Sequence, residues 1–549
     1  MLNGGARFEA MEDPILRERS RSVCAMAGLF APLDHLLGGG GDPRLNIDPV
    51  SGVNEYGCRL APCPDILSFA SSTATSISER AYARVSRARE QLMQSAIADG
   101  IETAFDVRVE AMRDELRACL GLSPDQADIV FSPSGTDAQL QALFLTRALS
   151  GPARTTIVVA ADQTGSGTEH TARGHHFNAV TANGNRVRKG EPIAGLAQSV
   201  ASVAIGLLAE SGEFRREAET DSAVLRAVES SVADGDHVLL QIMDSSKLGW
   251  RAPSDRCLDE ISARWPDRVQ IVVDACQMRL GRPRLRKYLD RGYLVMVTGS
   301  KFFTGPAFSG ALLVPAALAV QIDRIAEIAP GLHDYFSRSD WPSRWANLRS
   351  RFPVRENFGQ WLRWEAALEE IRAYHRVPAD FRRSALTIFG QGVERIIASA
   401  PSLELLPPQQ RPEGAGRDDE ELGQPTIFPF VIRQGSRALP LAECRKIYRA
   451  LARDARDAAG ATARDPEIAA RLCLIGQPVA LGRGSPNPAA ALRISASARL
   501  VTQAWSADED TARRNLQHEL ADVAAIVAKI EWLLAHIDDL NSMEASRGA

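Results

Sequence analysis

Two residues at the ends of neighbouring apolar runs carry groups that carbonyl and amine chemistry needs. Asp274 ends the run 269–273 in Q-I-V-V-D-A-C-Q, and Lys301 follows the run 294–298 in V-T-G-S-K-F-F-T-G-P, 27 residues further on. A lysine amine can capture a carbonyl carbon as an imine, and a buried carboxylate can keep a heteroaromatic nitrogen protonated. Either residue alone reads as an ordinary charge at a strand end. The pair, with small residues around the lysine, points to chemistry. In parallel α/β sheets ligands bind beyond the carboxyl ends of the strands, so both side chains are expected to face one crevice.

These are the two demands of pyridoxal phosphate: an amine for its aldehyde and an acid under its ring nitrogen. A third demand, a seat for the phosphate, is met by F-S-P-S-G-T-D-A-Q-L at 131–140, between a strand-like and a helix-like run. A small-residue turn that opens a helix presents unpaired N–H groups and a positive dipole end to an anion. Ser134, Gly135, Thr136 and Asp137 occupy that turn. Taken alone, the turn is a plain helix N-cap.

The order strand–Asp–x–x–Gln, then strand–[Ser/Thr]–Gly–x–Lys, resembles the fold-type-I pyridoxal phosphate enzymes. Within them it is most similar to the aminotransferase class V branch, which contains the cysteine desulfurases. The resemblance covers residues 80–320 well and 425–535 loosely. It implies Asp274 on the ring nitrogen, Gln277 near the ring hydroxyl and Lys301 as the Schiff-base lysine. Thr298 and Ser300 would join Ser134, Gly135 and Thr136 on the phosphate; Ser300 stands where many members carry His. For the residue stacked on the ring, A-D-Q-T-G-S-G-T-E-H at 161–170 offers two choices. Distance from Thr136 points to Thr164, and residue type points to His170. In D-S-S-K-L-G-W at 244–250, Ser246 stands where the family has a polar residue, commonly Asn, on the ring oxygen. In A-L-R-I-S-A-S at 491–497, Arg493 would clamp a substrate carboxylate, for which the planar fork of Arg is suited. An interdomain ion pair is the alternative for that arginine.

The resemblance implies an amino acid or amine as substrate and a C2 homodimer as the assembly. The first expectation for the reaction is an aminotransferase or lyase of the class V type. Sulfur transfer is the second, through Cys473 in R-L-C-L-I-G-Q-P-V, although its aliphatic neighbours suggest a packed, inert thiol. A catalytically silent binding subunit is the third, and the presence of both Lys301 and Asp274 argues against it. His170, His175 and His176 lack companions at a metal-site spacing beyond Glu169, so no metal is expected.

Strand-like runs at 127–131, 156–160, 237–242, 269–273, 294–298 and 310–314 must position these groups, with helix-like stretches such as 138–149 and 222–232 between them. This alternation predicts an α/β fold: a large domain with a mainly parallel sheet and a smaller C-terminal α+β domain. The expected divisions are an irregular N-terminal arm at 1–85, the cofactor-binding domain at 86–355, and a long helix with the small domain at 356–549. A helical pattern runs over 81–120 with a break near Gly100, another over 360–400, and 407–425 reads as an exposed loop. The chain has 549 residues, 45% hydrophobic and 24% charged, with 64 basic against 68 acidic residues and a net charge of −4. That balance gives no case for nucleic acid or an anionic membrane as partner. The eight cysteines form no CxxC, and neither a signal segment nor a membrane-length apolar run is found, so a cytoplasmic protein with free thiols is expected.

Overall fold

In chain order the strands of the computed structural model are β1 (Leu67–Phe69), β2 (Ala127–Ser132), β3 (Ala153–Val159), β4 (Ala201–Ile205), β5 (His237–Met243), β6 (Val269–Asp274) and β7 (Leu294–Thr298), then β8 (Gly310–Pro315), β9 (Leu403–Leu405), β10 (Ile427–Gln434), β11 (Arg437–Ala438), β12 (Cys473–Ala480) and β13 (Ala490–Ser495). The structure describes residues 24–151, 153–196, 200–409, 421–456, 466–482 and 486–537. Parts of the expected N-terminal arm (1–23) and of the 407–425 loop (410–420) lie outside the described residues.

The larger sheet has the order β2-β8-β7-β6-β5-β3-β4. Its pairings are parallel from β7 through β4, and β8 runs antiparallel to both β2 and β7. Strands such as β7 and β8 are buried along their whole length, as expected when both faces are covered. Their side chains alternate between two cores, as the two-residue strand period requires. Val295, Val297, Ala311 and Leu313 join the core formed with helices Glu79–Asp99, Ile101–Cys119 and Phe358–Arg376. Leu294, Met296, Leu312 and Val314 join the other, with helix Gly135–Ser150 and the Trp341 and Trp345 cluster.

The second sheet has the order β1-β12-β13-β10-β11, with β9 also on β10. Its one described parallel pairing is β1 on β12, so a strand from the first 85 residues completes a sheet otherwise built from the last 150 or so. Helices Leu441–Leu451 and Glu509–Ala535 pack with it. The architecture is therefore α/β, a mainly parallel sheet with a smaller C-terminal α+β layer, as the sequence pattern predicts.

Three details differ from the pattern. The stretch 360–400 is two helices, Phe358–Arg376 and Ala379–Ser399, parted at Pro378, whose ring cannot continue the hydrogen-bond ladder. At Gly100 the break is a joint with φ +83, which lets the two long helices meet with no intervening loop. The edge strand β4, mostly exposed, is not among the expected strand-like runs, although its sequence A-S-V-A-I is largely apolar.

Candidate active site

Register assembles the site. Thr298 at the end of β7 pairs with Gly310 of β8, and Gly310 pairs with Ser132 at the end of β2. The lysine loop and the Ser134 turn are thus brought side by side across one strand. On the other side, Asp274 pairs with Met296 of β7 and Met243 of β5, which sets the carboxyl ends of β5, β6 and β7 level. A cleft of about 400 Å³ opens there, and β12 and β13 of the second sheet contribute to its opposite wall. That is a volume typical of small-molecule sites.

The turn after β2 is built tightly. Ser134 caps helix Gly135–Ser150: its hydroxyl accepts from the Asp137 amide at 3.3 Å and donates to Asp137 Oδ2 at 2.6 Å. A Cβ on Gly135 would fall 2.5 Å from Cys276 Sγ, and one on Gly310 would fall 2.5 Å from the Ser134 carbonyl carbon. Only glycine fits at either place. Burial pushes the Asp137 carboxyl up to about 7, against the opposing bonds from Ser134, and its Oδ1 has no partner among the described residues. Among the described residues, four other than glycine hold left-handed backbone, Ala160, Met278, Thr304 and Phe308. They follow β3, Gln277 and Lys301, in loops that bound the cleft, and each costs on the order of 1–3 kcal/mol.

Lys301 extends into the cleft and its amine donates to the Thr73 carbonyl. Burial, and then the charge of Arg493, bring its pKa down to about 8. Asp274 accepts from the Cys276 amide at 3.1 Å; burial raises its pKa, while Lys301 is among the groups that oppose the rise. Gln277 Nε2 donates to the Ser72 carbonyl at 3.1 Å. Thr298 donates to the Cys276 carbonyl at 2.8 Å, and Ser300 donates to the Thr298 hydroxyl at 3.4 Å. Thr164 also lines the cleft, with its hydroxyl on the Ala161 carbonyl at 3.0 Å.

Arg493 is 2% exposed. Its guanidinium rests on neutral acceptors: Gln477 O at 2.7 Å, Thr73 Oγ1 at 3.0 Å, Lys247 O at 3.2 Å and Ser72 O at 3.5 Å. Burial lowers its pKa to about 10, and its Nε has no partner among the described residues. None of these contacts is the interdomain ion pair held open as its alternative.

Two of the sequence candidates are not among the residues that line the cleft. His170 stands on the one-turn helix Thr168–Thr171, with its ring near Gly190. Ser246 turns its hydroxyl inward, accepting from Leu248 N at 3.2 Å and Trp250 N at 3.0 Å. Cys473 is absent from the cleft too: it is fully buried on β12, where burial raises its thiol to about 11. Among the described residues no group of three His, Cys, Asp or Glu is placed to hold a metal ion. No helix among them is long and apolar enough to cross a membrane.

The cleft also holds residues that the sequence reading passed over. Lys247 lies one position beyond Ser246, and its amine donates to the Thr164 carbonyl at 2.6 Å. Burial, with Arg493 and Lys301 nearby, lowers its pKa to about 8. Gln163 is 1% exposed, and neither atom of its amide has a partner among the described residues. Arg44 lines the cleft from the N-terminal segment, paired with Asp42 at 2.6 Å and set over the Phe308 ring. Ser72 and Thr73, both buried, form a strap along the cleft wall between Lys301 and Arg493.

No family model and no curated protein matches the chain. Among solved structures, it is similar to the Oryza sativa TDC with PLP and tryptamine at 15% identity and a TM-score of 0.47, over 95% of this chain and 99% of that one. It is similar to the Catharanthus roseus tryptophan decarboxylase in complex with L-tryptophan at 13% identity and a TM-score of 0.47, over 95% and 90%. A NifS-like protein aligns at 15% identity and a TM-score of 0.44, over 83% of this chain and 98% of that one.

Proposed function

We propose that the chain is a pyridoxal phosphate-dependent enzyme acting on an amino acid or amine, with Lys301 holding the cofactor. The observation that carries this reading is that the half-buried Lys301 and Asp274 share one cleft with a helix N-terminal turn, with the lysine pKa brought down to about 8. When bound, the cofactor supplies an aldehyde and a protonated ring that accepts electron density.

The residues present suit that group. Glycine at 135 and 310 lets the Ser134 turn pack closely on Cys276 and β8, and the buried Gln163 amide and Arg493 Nε have no partner among the described residues. The N–H groups of the Ser134 turn, with the hydroxyls of Thr136, Thr298 and Ser300, are the donors for a phosphate dianion. Lys301, with its lowered pKa, is partly unprotonated at neutral pH and so nucleophilic. Asp274 holds the proton at the ring nitrogen; a cation there returns its pKa toward the ordinary carboxylate range. Arg493 orients the substrate carboxylate, which takes the place of the Thr73 hydroxyl or the Ser72 carbonyl on the guanidinium.

Within this reading the reaction is transamination or elimination of the class V type, in a C2 homodimer. Burial of Cys473 favours it over sulfur transfer. The test is spectroscopic. Protein incubated with pyridoxal phosphate should gain a visible band that borohydride abolishes and that Lys301→Ala never shows. A protein that gains no such band overturns the reading.

A further inference from the structure

The cleft has more positive charge than this chemistry uses. Five basic side chains line it against two carboxylates, Glu55 and Asp274. Arg44 is already paired with Asp42, Lys301 is committed to the cofactor, and Arg493 to one carboxylate. Lys247 and Arg445 are left over, and Arg445 is an exposed residue of helix Leu441–Leu451. Among the described residues the Lys247 amine donates to a main-chain carbonyl, that of Thr164.

Gln163 stands next to that carbonyl in the chain, so the lysine amine and the unpartnered amide belong to one wall. A buried amide without a partner costs on the order of 1–3 kcal/mol, and such a group persists where a ligand completes it. Lys247 is also tied to the carboxylate clamp, since Arg493 Nη1 donates to the Lys247 carbonyl at 3.2 Å. Two adjoining cationic groups, neither ion-paired among the described residues, suit a ligand with two acids. An aromatic side chain would find little here, because Tyr56 and Phe308 are the aromatic residues among the lining.

We propose that Lys247 and Gln163 form a second anion subsite, and that the substrate is an α-amino acid carrying a side-chain carboxylate. This rests on the reading of the cleft as an amino-acid site. Arg493 takes the α-carboxylate, Lys247 gives the distal carboxylate a charge-assisted hydrogen bond, and Gln163 Nε2 adds a neutral one. Lys247 is then a specificity-determining residue that takes no part in bond making.

The test uses protein loaded with pyridoxal phosphate and unreactive acids that lack the amine. Succinate and glutarate are titrated against butyrate by calorimetry. The dicarboxylates should bind about tenfold or more tightly than butyrate. Lys247→Gln should erase that preference while leaving butyrate within about twofold, Gln163→Leu should reduce it in part, and Lys247→Arg should keep it. Equal affinity for the two kinds of acid overturns the proposal. So does a Lys247→Gln variant that weakens both alike, which would make the lysine a support for the 164 loop or the cofactor. Failure of the cofactor reading is seen separately, as a wild-type protein without the borohydride-sensitive band.

Discussion

The amine of Lys301 and the guanidinium of Arg493 meet on Thr73: Lys301 donates to its carbonyl oxygen, and Arg493 Nη2 donates to its hydroxyl at 3.0 Å. The lysine belongs to the large sheet, the arginine to the second sheet, and the threonine to the N-terminal strap between them. The same hydroxyl accepts from the Gln477 amide at 3.0 Å, so one small side chain ties β12 and β13 to the strap.

Removing that hydroxyl should move stability and affinity in opposite senses. Thr73→Val keeps the carbonyl on Lys301 but removes the acceptor of the Gln477 main-chain N–H and one of the two acceptors of Arg493 Nη2, a cost of about 1–3 kcal/mol. The thermal midpoint should fall. The guanidinium, however, loses an internal competitor for the substrate carboxylate, so KM should fall as well, whereas Arg493→Leu should raise it sharply. A Thr73→Val variant with KM raised like that of Arg493→Leu would contradict the exchange of hydroxyl for carboxylate.

The pKa of Lys301 sets a pH dependence for cofactor capture. The unprotonated amine attacks the aldehyde, so the capture rate should rise by about tenfold between pH 7 and 9, levelling above a pKa of about 8. Burial is the largest cause of the lowered pKa and the charge of Arg493 the next. Arg493→Gln should therefore shift the profile to higher pH without returning it to that of a free lysine. Stopped-flow absorbance across this range reads both effects, and a flat profile would contradict the buried amine as the attacking group.

Asp137 gives a stability test of the phosphate turn. Its carboxyl is raised from 3.8 to about 7 in the folded state, so the native chain binds this proton more tightly than the unfolded one does. The resulting stability is complete below pH 3.8 and is lost as pH rises to about 7. Asp137→Asn has no proton to lose. Relative to wild type, the variant should gain on the order of 2–3 kcal/mol between pH 5 and 8, read by denaturation of the cofactor-free protein. A difference that does not change with pH would mean that the carboxyl is not held neutral.

How far the site could be read from the residues depended on what each one shows to its neighbours. β5, β6 and β7 are largely apolar runs closed by polar residues, so their ends, and with them Asp274 and Lys301, were visible. The strap at 70–75 was not, because it serves Lys301, Gln277 and Arg493 partly through main-chain carbonyls, which no residue pattern reports. Lys247 was hidden by one position: Ser246 closes its own turn by accepting from Leu248 and Trp250, which leaves the next side chain to face the cleft. His170 attracted notice by residue type, yet the chain forms the Thr168–Thr171 turn first and carries the ring away. The stretch 360–400 kept its helical period through Pro378, so only the proline marked the break.

The last prediction separates transamination or elimination from sulfur transfer. A sulfur-transfer enzyme needs a thiol that reaches the substrate as a thiolate. Cys473 is 0% exposed, sits in a strand between β1 and β13, and has its thiol raised to about 11 by burial. Its sulfur lies 3.8 Å from the Arg471 carbonyl, and Cys473 is not among the residues of this strand that line the cleft, Gln477 to Val479. The thiol should therefore resist alkylation in the native protein and react only on unfolding. Turnover of the preferred amino acid should survive in Cys473→Ala, which loses some packing, and in Cys473→Ser, which buries a hydroxyl at a cost of about 1–3 kcal/mol in stability. Alanine formed from L-cysteine, and lost in both variants while each remains folded by circular dichroism, would reverse the ranking and make sulfur transfer the reaction of this cleft.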